Sequence, residues 1–464
     1  MNSFLNLTSK LIFLFFLPLL LWSQPQYTIS TNNGAHPGNL FFHVGGQPPR
    51  TVNIMDSTGS LIHSEPFGLK GWGWKVNLNN KITYFDRQSK GWFVMDSLEN
   101  VVDTVYCQND YIADNHDFLA LPNGNYILFA YDEQPYATDT ISPDGSQDET
   151  VIGLVIQELD SDHNVIFEWQ SWDHYYMSDY PDINYNGNGI DFLHCNAIDI
   201  DEDGHFLISN RNISEITKIH RITGDIIWRF GGAQSDFTFL NDYPFSQQHC
   251  IKSLGNNKYL LFDNGNQSDL FTGGIKRSRG VEYELNLSDY TATKTWDYVH
   301  PDSLFTPSIG SIQRLNNGNT LINFGNNQQI NRGSVITEVT ETNEVVFELE
   351  MDNGQNIYCA NKADWNFYSE PVVELIELNQ QKHKLSIYPN PSNSTFFVEL
   401  KNQNESFRKI EIFNLSGNLI LSVPLLEQDV KNIFPINEKL SKGVYIVKAT
   451  SNEHSYCSRI CISD

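Results

Sequence analysis

HCNAIDIDEDGHFLIS, residues 194–209, reads as a short strand, an acidic Gly-containing turn and a second strand, with His194 at its opening. Three other stretches share that cadence: HDFLALPNGNYILF from His116, HCIKSLGNNKYLLF from His249 and GSIQRLNNGNTLINF from Gly310. In each, apolar and polar residues alternate on either side of an Asn/Gly turn, the mark of a half-buried hairpin. Each is followed by a second hairpin of the same kind, beginning near Gly153, Glu215, Arg279 and Gly333. Four strands per unit, repeated along the chain, is how a propeller blade looks in sequence. Two looser copies upstream, Trp72 to Tyr106 and Asn39 to Phe67, bring the number of units to about six, within the usual range of four to eight. The expected fold is all-β, a six-bladed β-propeller over residues 24–372. A stack of β-sandwiches would explain the strands but not their recurring register.

The chain has 464 residues, 30 Lys+Arg against 56 Asp+Glu, and a formal net charge of -26. Phosphate recognition begins with a cationic surface, so nucleic acid and anionic membranes are not expected partners. Apolar residues make up 40%, enough for a packed core. Residues 11–22, LIFLFFLPLLLW, form an apolar run behind a cationic head. They read as a secretory signal peptide over residues 1–23, and the run is short of the ~20 residues of a membrane helix, so stable membrane insertion is not expected. Beyond the inner membrane the six cysteines meet an oxidising compartment. Six cysteines pair in 15 ways, and spacing does not choose among them.

In a propeller the first strand of each blade is innermost. His116, His194, His249 and Gly310 share one register, so they are expected around one mouth of the central channel. Arg211, at the end of the second strand of the His194 unit, reaches the same mouth. Imidazole is nucleophilic when neutral and cationic when protonated, and both states are accessible near its ordinary pKa of ~6.5. Several imidazoles beside a guanidinium make a cationic pocket that holds a nucleophile, matched to a small anionic ester such as a sulfate or phosphate. No P-loop, dinucleotide fingerprint or G-x-S-x-G elbow occurs, so no cofactor is expected. The same histidines leave open a zinc or copper centre, which Arg211 disfavours by charge, and a non-catalytic binding propeller. Asp199 to Gly204 matches the start of a calcium loop but reads better as a hairpin turn; Asp182 to Gly187 is a weaker candidate of the same sort. The Gly71-Trp72-Gly73-Trp74 stretch fits packing between blades better than stacking on a ligand ring.

Two resemblances follow from particular residues. Asp191-Phe192-Leu193-His194-Cys195-Asn196, Ser209-Asn210-Arg211, Gln248-His249 and His116-Asp117 resemble the arylsulfotransferase family over roughly Asn109 to Met351. That resemblance implies a secreted or periplasmic six-bladed propeller that moves sulfuryl groups from an aryl sulfate donor to a phenolic acceptor without a nucleotide sulfate donor. It implies that His249 is the transiently sulfated histidine, that His194 and Arg211 hold the sulfuryl oxygens, and that His116 is a further catalytic histidine. Past Asn361 the cadence stops. Tyr388-Pro389-Asn390-Pro391, Asn414-Leu415-Ser416-Gly417 and Gly443-Val444-Tyr445 resemble the C-terminal sorting domain of the type IX secretion system. The resemblance covers residues 384–464, a small Ig-like β-sandwich by its implied fold. It makes the secretion machinery a partner and the cell surface or medium the destination.

Overall fold

The computed structural model describes residues 24–143, 145–181, 183, 185, 189–365, 385–393, 395–400, 407–414, 419–425, 433–437, 440–451 and 455–463. The expected leader at residues 1–23 lies outside them, as do most of Asn414 to Gly417 and much of the weaker calcium candidate at 182–187. The chain divides into two compact units, Met1–Phe367 and Tyr368–Asp464.

The described part of the first unit is built from sheets of four or five strands, antiparallel except where the two-residue strands Ile190–Asp191 and Thr238–Phe239 add parallel to the third and fifth. Reading each from its inner strand, the second sheet runs Lys70–Val76, Ile82–Asp86, Gly91–Met95, Val101–Val105. The third runs Ala113–Ala120, Tyr126–Tyr136, Glu149–Leu159, Val165–Gln170, and the fourth Cys195–Ile200, Phe206–Asn210, Glu215–Ile219, Ile226–Gly231. The fifth runs His249–Gly255, Lys258–Asp263, Arg279–Asn286, Thr291–Val299. The hairpins behave as their turn residues dictate: Asn256 and Asn257, at φ of 53° and 57°, form a two-residue loop in the left-handed backbone region, the geometry that fits the right-handed twist of the flanking strands.

Closure uses both ends of the unit. The sixth sheet, Ser311–Arg314, Thr320–Phe324, Val335–Val339 and Val345–Met351, takes Tyr27–Asn32 as a fifth, outermost strand. In the first sheet, Asn39–Gly46, Thr51–Met55 and Leu61–Pro66 receive their innermost strand from Gln355–Ala363. The repeat pattern alone does not reveal that strand, because its partner Asn39–Gly46 lies more than 300 residues away in sequence. The inner strands then follow one another in a closed circuit: 70–76, 113–120, 195–200, 249–255, 311–314, 355–363 and back to 70–76.

Each sheet buries both faces against its neighbours. Leu207, Phe230, Phe245, Tyr259 and Tyr283 fill the space between the fourth and fifth sheets, and Phe85, Trp92, Phe118 and Leu128 that between the second and third. At roughly 1.5–3 kcal/mol per fully buried large apolar side chain, these layers hold the circuit shut. The second unit has two antiparallel sheets, Leu385–Tyr388, Phe396–Leu400, Ile433–Ile436 and Leu419–Pro424, Phe407–Asn414, Gly443–Ser451, Ser455–Ile462. They share one core of Phe396, Val398, Ile410, Ile412, Val447 and Ile460. The Tyr-Pro-Asn-Pro stretch has a structural job there, since Asn390 accepts the Cys461 N–H at 2.9 Å and donates to the Arg459 carbonyl at 2.7 Å.

Candidate functional site

His116 lies on the inner strand of the third sheet, His194 immediately precedes that of the fourth, and His249 begins that of the fifth. Arg211 follows the second strand of the fourth sheet, and its N–H binds the His194 carbonyl at 3.1 Å, so residues 17 apart meet at one end of the sheet. His194 sits at φ 50°, a left-handed conformation held by its N–H to Asp191 Oδ1 at 3.1 Å. The fourth position of the register is glycine for a steric reason: Gly310 has φ 119°, and a Cβ there would lie 2.5 Å from the Phe262 ring.

The side chains converge. The rings of His116 and His194 meet edge to face at 4.7 Å between centroids. Tyr358, on the closing strand, stands 5.8 Å from His116 and 6.4 Å from His249 in the same measure. Arg211 donates to Gln247 Oε1 at 3.2 Å, the Pro307 carbonyl at 3.1 Å and Asn212 Oδ1 at 2.8 Å. It forms no ion pair among the described residues. His116, His249 and Tyr358 line a cavity of about 230 Å³ that all six inner strands enclose.

Surroundings separate the three imidazoles. His249 is buried and its pKa lies well below 6.5; burial is the main cause, and the charges of Arg211, His194 and His116 add to it. Its tautomer is set by Asn264. That amide donates to the Thr306 and Ile309 carbonyls at 2.7 and 2.9 Å, which turns its oxygen toward His249 Nδ1 at 2.7 Å. Nδ1 therefore carries the proton and Nε2 the lone pair, engaged only by a weak 3.3 Å bond from the Ile309 N–H. His116 has the opposite bias. Burial pulls its pKa down, but the Asp114 carboxylate at 2.6 Å, with Asp191 adding to it, outweighs that and raises it above 6.5. His194 Nδ1 binds Asp191 Oδ2 at 2.5 Å. The arrangement places one imidazole biased toward the neutral form and one biased toward the protonated form at the same mouth, beside a guanidinium with no ion pair among the described residues.

Reading along the sequence misses Tyr358, Asp114 and Asn264, and it quotes Asp191 in the His194 motif without giving it a role. Tyr358 comes from the closing strand; the two carboxylates precede their histidines by two and three residues, a spacing that signals support within one loop. Trp72 packs against the core between the second and third sheets, as expected, and also lies 5.1 Å from Tyr358, while Trp74 is buried in the core. Asp201 is a turn residue, its carboxylate taken by Lys218, Ser253 and Tyr259 at 2.6, 2.6 and 2.8 Å. All six cysteines are free thiols. Among the described residues, the trio with donor atoms all within 4.8 Å of one another is His63, Glu65 and Glu99, which includes none of the mouth histidines. Nor is any described helix long and apolar enough to cross a membrane.

A family model described as arylsulfotransferase (ASST) matches residues 50–360, and one described as a secretion system C-terminal sorting domain matches residues 386–463. No curated protein matches the chain. Among solved structures, a protein of unknown function from Bacteroides caccae is 14% identical, with a TM-score of 0.44, over 70% of this chain and 98% of that one. A streptogramin B lyase is 10% identical, with a TM-score of 0.37, over 73% and 98%. The virginiamycin B lyase of Staphylococcus aureus is 8% identical, with a TM-score of 0.35, over 72% and 100%. At these scores the three likenesses carry no argument about the site.

Proposed function

The chain belongs to the arylsulfotransferase family, and from that premise we propose that it is a secreted, nucleotide-independent sulfotransferase. A sulfuryl group passes from an aryl sulfate ester to a phenolic acceptor by way of a sulfated His249. The observation that carries this reading is the state of His249: buried, neutral, with Nδ1–H fixed on Asn264 and the Nε2 lone pair beside Arg211, His194 and His116. In the first half-reaction Nε2 attacks sulfur, the N–S bond forms and the S–O bond to the aryl group breaks. The electron pair leaves on the aryl oxygen, which takes a proton from His116. Arg211 and His194 hold the sulfuryl oxygens, by the positioning and electrostatic logic of phosphoryl transfer. In the second half, an acceptor phenol gives its proton back to His116 and its oxygen displaces His249 from sulfur. Asp114 and Asp191 orient the two assisting imidazoles.

In the same proposal the closed circuit of sheets is a six-bladed propeller over residues 24–372, the tail at 384–464 is an Ig-like sandwich, and residues 1–23 are a signal peptide. Type IX secretion takes the protein to the surface or medium, in keeping with the sorting-domain match. A histidine-bound metal is the weaker reading, since Arg211 would face the cation and the clustered donor set among the described residues, His63, Glu65 and Glu99, includes none of the mouth histidines. The test is incubation with a chromogenic phenyl sulfate, with and without an acceptor phenol. Release of the coloured phenol that becomes catalytic only when acceptor is added supports the reading; no release from a folded protein under either condition overturns it.

A further inference from the structure

Arg87 occupies the same place in the second sheet that Arg211 occupies in the fourth. Each is the first residue after its sheet's second strand, Ile82–Asp86 or Phe206–Asn210, so both emerge at the histidine end of the channel. Their settings differ. Arg211 is tied to three amide oxygens, whereas the exposed Arg87 lies over the Trp72 ring with Cζ 4.2 Å from its centroid. Its side chain has one hydrogen bond, Nε to Asn115 Oδ1 at 3.3 Å, which leaves both terminal nitrogens unbonded among the described residues. The carboxylate that acts on it, Asp114, is already engaged by His116. Arg50 adds like charge from the first sheet. A guanidinium fork stacked on an aromatic face with its outer edge free is shaped for an anion.

The ring beneath Arg87 joins it to the mouth. Trp72 is 5.1 Å from Tyr358, which stands against both His116 and His249. An aryl group that places its sulfuryl end at His249 and lies along this aromatic wall points its far end at Arg87. We propose that Arg87, presented on Trp72, is a second anion subsite that selects aryl sulfates or phenols carrying an additional anionic group, a carboxylate or second sulfate ester, at the end of the ring system distant from the reacting oxygen. The proposal rests on the sulfuryl-transfer reading for the identity of the first anion. Because the guanidinium is solvated, the gain is modest, about tenfold in affinity.

Binding of sulfonates tests it, since a sulfonate holds sulfur through a C–S bond and mimics the bound ester without turnover. The full chain and Arg87→Gln are titrated with benzenesulfonate, 4-sulfobenzoate and the longer 4′-carboxybiphenyl-4-sulfonate. The expected result is that at least one carboxylated ligand binds the native chain about tenfold more tightly than benzenesulfonate. Arg87→Gln should erase that gain while leaving benzenesulfonate within about twofold of its native affinity. No gain in the native chain, a gain that survives Arg87→Gln, or an equal loss for all three ligands overturns the subsite; the last would place Arg87 in the sulfuryl pocket itself. If the gain appears and depends on Arg87 while no aryl sulfate is turned over, the subsite stands and the transfer reading falls.

Discussion

At the mouth of the channel Arg211 and Arg87 carry their charges with no ion pair among the described residues; on the inner strands, three or four residues beyond Trp72, His249 and Tyr358, each lysine has a carboxylate. Lys75 follows Trp72 and binds Asp117 at 2.6 Å, Lys252 follows His249 and faces Asp199 at 3.8 Å, and Lys362 follows Tyr358 and binds Glu338 at 2.6 Å. Burial opposes charge in both places. Deeper in, attraction overcomes it: Lys252 stays well above the ordinary lysine range, and Asp117 stays below the carboxylate range through Lys75 and Lys252. At the mouth Arg211 has no ion pair among the described residues; burial lowers its pKa, and the charge of Asp191, already bound to His194, only partly offsets that. Deeper in the ring of strands the cations are matched by carboxylates; at its opening the two guanidinium groups have no ion pair among the described residues, and as proposed they are the groups that receive an anion. The comparison can be broken at several points.

The largest effect should come from His249→Ala. Loss of the nucleophile should lower donor cleavage and transfer by at least about 10⁴, measured as turnover of a phenyl sulfate with saturating acceptor. Next is the contrast between charges. Arg211→Gln should cost on the order of 10²–10³ in turnover, as removal of an oxyanion contact does, with the thermal midpoint nearly unchanged. Glu338→Ala should do the reverse: it leaves the buried Lys362 unpaired and should lower stability by about 3–5 kcal/mol, read in denaturant titrations. Equal stability losses in the two variants would erase the distinction between mouth and channel.

A smaller effect concerns pH. The proposed mechanism requires His249 neutral and His116 protonated, so on that proposal the acid limb of the rate profile should fall well below pH 6.5 and the alkaline limb above it. Asp114→Asn removes the charge that raises His116, so the alkaline limb should move to lower pH while the acid limb moves little. The least effect on chemistry should come from deleting residues 384–464, with turnover of the purified protein unchanged and export lost; surface delivery of the truncated chain would contradict that.

Much of this was legible before any coordinates. The Asn/Gly hairpins announce a repeated four-stranded unit, and the repeat places three histidines and one glycine in equivalent positions. Local pattern carries that information because a hairpin is a local object. Tyr358 and the closing strand are not local: Gln355–Ala363 pairs with Asn39–Gly46, and nothing within either stretch names the other. Trp72 has the alternation of a core residue, and only closure of the ring puts Tyr358 beside it. Asn264 looks like the end of a strand until the fold brings it to His249 Nδ1, so the tautomer of this histidine is a property of tertiary structure.

The most direct measurement is the mass of the His249 peptide after the protein is mixed with aryl sulfate donor alone and quenched at high pH. One added sulfuryl group on His249, lost again when an acceptor phenol is supplied before the quench, is the expected result. A sulfuryl group on another residue, or no adduct together with full activity of His249→Ala, would contradict it.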